Sequence, residues 1–247
     1  MHGIKLKVIK MSSKKIDYKD VKNILCYAAK SYNLKNVTVM LSAGVDSIAA
    51  LHFFIKNKER IANDLKISVD DLNVKAFHFN HKLRHQNEIM EKQARKFCKD
   101  FNVPLVVKTN LTTFTTEAQA REVRFNALSQ CVNNSFIVTA HHLNDCVESY
   151  ILNVLRGHEG FAPIPFCTHL KNNVVLHPFL FTEKKCFLSY VEVNNLSQYV
   201  VEDESNTIIK GSRRNLIRNK IVPLLRDENI VLNKTIIRKM NNRLNTQ

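Results

Sequence analysis

The stretch Val37-Thr38-Val39-Met40-Leu41-Ser42-Ala43-Gly44-Val45-Asp46-Ser47 decides the fold. Its first half is a continuous β-rich run, the pattern of a strand buried on both faces. Its second half is small and polar and leads into a helical period, Ser47 to Lys58, with Ile48, Leu51 and Ile55 on one side. Small residues let backbone N–H groups approach a phosphate, and the helix N-terminus adds a positive field. Two serines add hydroxyl donors, and Asp46 suits a phosphate site mainly where Mg2+ lies between. The loop has no G-x-x-x-x-G-K-S/T, so it is not a Walker loop. A plain N-cap by Ser42 or Asp46, with Gly44 easing the turn, accounts for the same residues without a ligand.

The alternation extends on both sides. Upstream, Asp17 to Tyr32 carries Val21, Ile24, Leu25 and Ala28 at helical spacing. Downstream, strands are expected at Leu72–Phe79, Leu105–Val107 and Phe136–Thr139, and helices at Asn87–Phe101, Thr116–Leu128 and Asn144–Leu155. This order implies right-handed crossovers and an α/β fold, a Rossmann-like parallel sheet with helices on both faces. In such sheets the loops after Leu41, Phe79, Val107 and Thr139 share one mouth at the carboxyl ends of the strands. From Arg156 to Phe181 the periodicity fades, and the segment reads as a long irregular connection and a lid candidate. A helix near Glu183–Asn194, an acidic turn at Glu202–Asn206 and a basic helix from about Arg213 follow. From Asn229, Leu232, Ile236, Met240 and Leu244 form the apolar seam of a closing helix. The expected division is an N-terminal helix (1–35), a catalytic core (36–226) and a C-terminal amphipathic helix (227–247), the last two forming the core and its small helical extension.

Composition narrows the class. The chain has 247 residues, 45% hydrophobic and 24% charged, ordinary globular material. No apolar run approaches the ~18–20 residues of a bilayer span, and the start lacks the apolar stretch of a secretory signal. A soluble intracellular protein is expected. The net charge of +15, from 37 Lys+Arg against 22 Asp+Glu, attracts polyanions such as nucleic acid. Lysine-rich solvation of the surface accounts for part of it. Cysteines 26, 98, 131, 146, 167 and 186 show neither a C-x-x-C pair nor metal-ligand spacing, so free thiols are expected.

Further polar constellations lie at the predicted mouth. His78-Phe79-Asn80-His81-Lys82-Leu83-Arg84 ends the second strand. Glu117, Arg121 and Arg124 fall at i, i+4 and i+7 and share a helix face, either as surface salt bridges or as guanidiniums aimed at phosphate or a base edge. Asp145 and Glu148 lie at i, i+3 in the first turn after Thr139-Ala140-His141-His142. A helix N-terminus favours carboxylates in any case, yet the pair could also grip an ammonium group or a metal.

Ser42–Ser47 resembles the S-G-G-x-D-S loop of the N-type ATP pyrophosphatases, with Ala43 in place of the first glycine. The remaining motifs, in order, resemble those of the tRNA(Ile)-lysidine synthetase family. His78 to Arg84 matches H-x-N-H-x-L-R, and Glu117 to Phe125 matches E-x-x-A-R-x-x-R-Y/F. Thr139 to Ser149 matches T-A-H-H-x-x-D-x-x-E-S/T, Arg156 to Gly160 the R-G-x-G lid, Asp203 to Asn206 D-x-S/T-N, and Arg214 to Arg218 R-N-x-I-R. The likeness runs from about residue 36 to residue 226. The chain departs from the pattern after the lid glycine and at His177-Pro178, where Arg-Pro is usual. It also ends soon after the core, whereas many relatives continue into further domains.

The resemblance implies an adenine nucleotide alpha hydrolase-like fold and a two-step reaction. ATP adenylates the 2-carbonyl oxygen of the wobble cytidine in an isoleucine tRNA with a CAU anticodon, and the ε-amine of free lysine then displaces AMP to give lysidine. It implies that Ser42, Ala43, Gly44, Val45, Asp46 and Ser47 hold the pyrophosphate, with Asp46 on Mg2+. Asp145 and Glu148 hold the lysine, and Arg121 serves the adenylated cytidine. His81, Arg84, Glu117, Arg124, His141, Arg214 and Arg218 bind substrate. A cytoplasmic (or organelle-stromal) enzyme, and a homodimer, fit the family. A tRNA thiolase of the same superfamily, an ATP-dependent small-molecule ligase and an inactive tRNA-binding remnant stay open as alternatives.

Overall fold

In the computed structural model, which describes residues 15–32, 35–82, 85–110, 116–158, 164–202 and 212–245, six strands form one sheet. They are β1 (Asn36–Met40), β2 (Asn73–Asn80), β3 (Leu105–Thr109), β4 (Ser135–Val138), β5 (Cys167–Leu170) and β6 (Asn173–Leu176). The helices flanking them are α1 (Tyr18–Ala29), α2 (Val45–Lys56), α3 (Lys58–Leu65), α4 (His85–Asp100), α5 (Glu117–Cys131), α6 (Leu143–Leu155) and α7 (Lys184–Val193). Three more, α8 (Arg213–Leu216), α9 (Val222–Asp227) and α10 (Leu232–Asn245), follow.

The strand order is β3-β2-β1-β4-β6-β5, and β1 pairs in parallel with both β2 and β4. The chain winds outward from β1 in both directions, so the crevice between the carboxyl ends of β1 and β4 is the topological switch point. Alternate strand residues face different cores, as the two-residue period requires. Ala76, Phe136, Val138, Val174 and Leu176 pack with residues of α1, α2, α4 and α7, whereas Phe77, Phe79, Ile137 and Val175 pack with Leu128 and Val132. Helices therefore cover both faces. At the base of the sheet the hydroxyls of Thr38 and Ser135 hydrogen-bond at 2.8 Å, which satisfies both inside the core.

The structure corrects or sharpens several expectations. The stretch from Arg156 to Phe181 is not wholly irregular, because it carries the β5–β6 hairpin, turned at Lys171 with φ +52°. β6 runs parallel to β4 and β5 antiparallel to β6, so the sheet is mixed, mostly parallel and six-stranded. The helix expected over Ser47–Lys58 breaks at Asn57, whose side chain bonds back to the Phe53 carbonyl at 2.8 Å, and α3 follows. The basic helix from Arg213 is three pieces, with a π turn over Ile217–Ile221 between α8 and α9.

The first and last described helices bury apolar residues at helical spacing. Asp17 caps α1 by accepting from the Lys19 N–H at 2.9 Å, and Val21, Ile24, Leu25 and Ala28 are all buried. Ile236 and Met240 of α10 are fully buried against Ile24, Leu143, Cys146 and Phe181. The six cysteines are all free. No described helix is long and apolar enough to cross a membrane.

Candidate active site

The loop between β1 and α2 is built largely from its own polar groups. The Ser47 hydroxyl donates to the Gly44 carbonyl at 2.9 Å and accepts from the Ser42 N–H at 3.1 Å, while the Ser42 hydroxyl accepts from the Gly44 N–H at 3.3 Å. Neither Ser42 nor Asp46 caps α2: the N-cap is Gly44, in extended backbone, with no side-chain cap. The left-handed position is instead Ala43, at φ +62° and fully buried. An L-residue there stores about 1–2 kcal/mol. The strained turn aims the Ala43 carbonyl away from the loop, where it accepts from the Val201 N–H at 2.9 Å.

Asp46 stands in the first turn of α2, and both its carboxylate oxygens lie 2.7 Å from Lys184 Nζ of α7. On its other side is the imidazole of His142, with Nε2 3.7 Å from Asp46 Oδ2 and Nδ1 3.3 Å from Asp145 Oδ2. The His142 N–H donates to the same Asp145 oxygen at 2.9 Å. One buried ring thus spans the β1–α2 loop and the start of α6.

Asp145 and Glu148 are 8% and 3% exposed, and two guanidiniums meet them. Arg214 donates to Glu148 Oε2 at 2.9 Å and to Asp145 Oδ1 at 3.1 Å. Arg218 grips Glu148 with Nε on Oε1 at 2.7 Å and Nη2 on Oε2 at 2.9 Å. Burial alone would raise the pKa of Asp145, but His142, His141 and Arg214 bring it below the ordinary carboxylate value. The π turn directly after α8 is the kind of helix irregularity that recurs at functional sites.

Behind this cluster lies a histidine pair. The Thr139 hydroxyl shares hydrogen bonds with Nδ1 of His141, at 2.8 Å, and Nδ1 of His177. Burial drives both pKa values down, His141 to about 4 and His177 to about 3, helped by Arg121. Both rings are therefore neutral at physiological pH. Arg121 itself lies over the Phe125 ring at 4.7 Å. Next to the end of β2, the His78 Nδ1–H donates to the Leu41 carbonyl at 2.8 Å. His81, edge-on to Phe79 at 4.8 Å, is pushed down to about 4 by burial and then by Arg124.

Asp46, Asp145, Glu148, Arg214 and Arg218 are thus joined directly or through His142, while His141, tied to His177 through Thr139, and Arg121 lie beside them. His81 and Arg124 form a separate neighbouring pair. Arg84, the lid from Glu159 to Pro163 and the turn from Asp203 to Asn206 lie outside the described residues, as does the side chain of Glu117. Sequence reasoning assigns no role to Lys184, His142 or His177. His142 adjoins an assigned histidine, and His177 marks a departure from the family pattern, but Lys184 has no motif of its own.

Among the described residues, no group of three or more His, Cys, Asp and Glu side chains could hold a metal ion. The single carboxylate of the β1–α2 loop fits Mg2+ shared with the phosphates of a nucleotide, since Mg2+ is commonly held by one or two carboxylates plus phosphate oxygens.

Sheet order, switch-point crevice and loop together define an adenine nucleotide alpha hydrolase-like fold. Residues 16–225 match the model of the PP-loop domain, and the chain belongs to that family, which implies ATP binding. The tRNA(Ile)-lysidine synthase of Haemophilus ducreyi is 30% identical over 195 residues, covering 77% of this chain and 42% of that protein. The tRNA(Ile)-lysidine synthase of Thermotoga maritima is 29% identical over 215 residues, covering 83% and 48%. The chain spans less than half the length of these relatives and matches their N-terminal part. The solved structure of the U34-tRNA thiolase NcsA from Methanococcus maripaludis has a TM-score of 0.63 at 15% identity, over 93% of this chain and 78% of that one. That likeness is one of fold.

Proposed function

We propose that the chain ligates lysine to carbon 2 of the wobble cytidine of an isoleucine tRNA with a CAU anticodon, through an adenylated cytidine. The observation that carries this reading is His142, whose ring lies between the phosphate-loop carboxylate Asp46 and the buried carboxylate Asp145. A site for a pyrophosphate leaving group and a site for a cation thus adjoin in one crevice.

Ser42 to Ser47 bind the β- and γ-phosphates of ATP, with backbone N–H groups and hydroxyls turning from one another to the phosphate. Asp46 would hold Mg2+, which would supply positive charge to the pyrophosphate leaving group. Arg121 steadies the adenylated cytidine, with Arg124, His81, His141, Glu117 and Arg84 on the nucleoside side. Asp145 and Glu148 receive the lysine ammonium. Because Arg214 and Arg218 occupy these oxygens, the incoming ammonium displaces one guanidinium, which is then free to meet a phosphate of AMP or of the anticodon stem. An amine attacks only after losing a proton, and in this reading one of Asp145 and Glu148, released from its guanidinium, helps remove it. Carbon 2 then gains the ε-nitrogen and loses the AMP oxygen.

The basic surplus of +15 suits a tRNA partner. The test is incorporation of radiolabelled lysine into a CAU-anticodon transcript with pyrophosphate release. Pyrophosphate release on that transcript without lysine transfer would replace this reading with another tRNA-activating reaction, and absence of both with a binding role.

A further inference from the structure

The segment Ser42-Ala43-Gly44-Val45-Asp46-Ser47 carries no cation of its own, and its one charged group repels phosphate. Walker-type loops solve this with a lysine inside the loop. Here a lysine arrives from elsewhere in the fold. Lys184 opens α7, 138 positions downstream of Asp46, and its ammonium meets both Asp46 oxygens at 2.7 Å. We propose that Lys184 is the phosphate-binding lysine of this loop, held by Asp46 until a pyrophosphate-bearing anion arrives and then turned onto it. The inference rests on the reading of Ser42–Ser47 as a phosphate loop, but not on the lysine-transfer reaction.

The geometry supports an exchange of partners. The base of Lys184 is fixed: its backbone N–H donates to Asn144 Oδ1 at 3.0 Å, and one turn later the fully buried Phe187 packs against Phe179 at 5.4 Å and His142 at 5.6 Å. The tip is less constrained, with the side chain 37% exposed. An ammonium has three donors, and Asp46 accepts from at most two of them. Arg214 and Arg218 are engaged with Asp145 and Glu148. When a cation takes Asp46, or when the Asp46 charge is removed, the ammonium is left beside the N-terminus of α2 facing whatever anion the loop holds.

Binding of inorganic pyrophosphate without divalent metal, measured by titration calorimetry, separates a phosphate ligand from a mere counter-ion of Asp46. Asp46→Asn frees Lys184, so this variant should bind pyrophosphate about tenfold or more tightly than the double variant Asp46→Asn/Lys184→Met, as one charge-assisted hydrogen bond is lost. The double variant Asp46→Asn/Lys184→Arg should restore most of the affinity. If Lys184 only neutralises Asp46, the single variant and the methionine double variant bind within about twofold of each other, which overturns the proposal, as does absence of binding to either. Equal melting temperatures of the two proteins exclude a folding defect, and a defect confined to the methionine double variant is circumvented by the Arg comparison. A chain that binds pyrophosphate through Lys184 yet transfers no lysine to tRNA keeps this inference and loses the lysidine reading.

Discussion

Arg218 closes a two-point contact on Glu148, Nε to Oε1 at 2.7 Å and Nη2 to Oε2 at 2.9 Å, around a carboxylate that is 3% exposed. A carboxylate buried this deeply is tolerable only with its charge matched, and Arg214 supplies a further bond to the same group at 2.9 Å. The four side chains of this network balance two negative charges against two positive ones. Glu148→Gln leaves two guanidiniums facing one carboxylate and should cost about 2–3 kcal/mol in urea unfolding. Adding Arg218→Met should recover part of that loss, with a coupling above about 1 kcal/mol in the double-mutant cycle. Additive effects would show that the contact contributes nothing beyond its parts.

Ala43 holds a left-handed conformation at the one position of the loop where the family pattern has its first glycine. The methyl group is what makes this costly. Ala43→Gly should therefore raise stability by about 0.5–1 kcal/mol, since relief of strain exceeds the entropy glycine adds to the unfolded chain. The neighbouring glycine behaves differently: Gly44 is in extended backbone, and a Cβ there would meet Ser42 Oγ at an ordinary 3.4 Å. Gly44→Ala should be nearly neutral for folding. Denaturation midpoints of the two variants check the contrast.

What is legible in the sequence follows from which signals are local. β1 to β4 announce themselves as apolar runs between helical periods, and their parallel order follows from alternation alone. The β5–β6 hairpin does not, because its strands have four residues each and lie among Pro163, Pro165 and Pro178. Yet Val174-Val175-Leu176 is a buried-strand run of the same kind as Val37-Thr38-Val39. Asp46, Asp145 and Glu148 stand out as carboxylates where the chain enters helices at strand mouths. Their partners do not, since Arg214 and Arg218 reach Glu148 across 66 and 70 positions and nothing in either segment encodes the pairing. Lys184 is hidden among 37 lysines and arginines. Charge type is local information; charge complementarity is a product of the fold.

The His141–His177 pair should make the protein less stable as pH falls through a defined window. Both rings have folded pKa values near 4 and 3, against about 6.5 when unfolded. Below about pH 6.5 the unfolded chain takes up protons that the folded chain refuses, so stability falls as pH drops from there toward 4. Each such histidine contributes about 1.4 kcal/mol per pH unit inside the window. His177→Asn should remove one of these contributions, so the slope of stability against pH between 6 and 4.5 becomes shallower by about that amount. An unchanged slope in urea titrations at successive pH values would mean the imidazole is protonated in the fold.

Asp20 acts with the opposite sign. It lies in the first turn of α1, 5% exposed, and burial, reinforced by the nearby Asp17 carboxylate, pushes its pKa up to about 7. The folded protein therefore keeps a proton that the unfolded chain releases near pH 4. Stability from this group is full below pH 4 and declines up to about pH 7. Above that it stays at its lowered level, because both states are then ionised. Asp20→Asn keeps the shape, removes the ionisation and should stabilise the protein at pH 8 by about 2–4 kcal/mol. At pH 4 it should have little effect. The measurement is a pair of urea unfolding curves at the two pH values for each protein, and a gain of equal size at both would show that the asparagine acts through a new hydrogen bond instead of through charge.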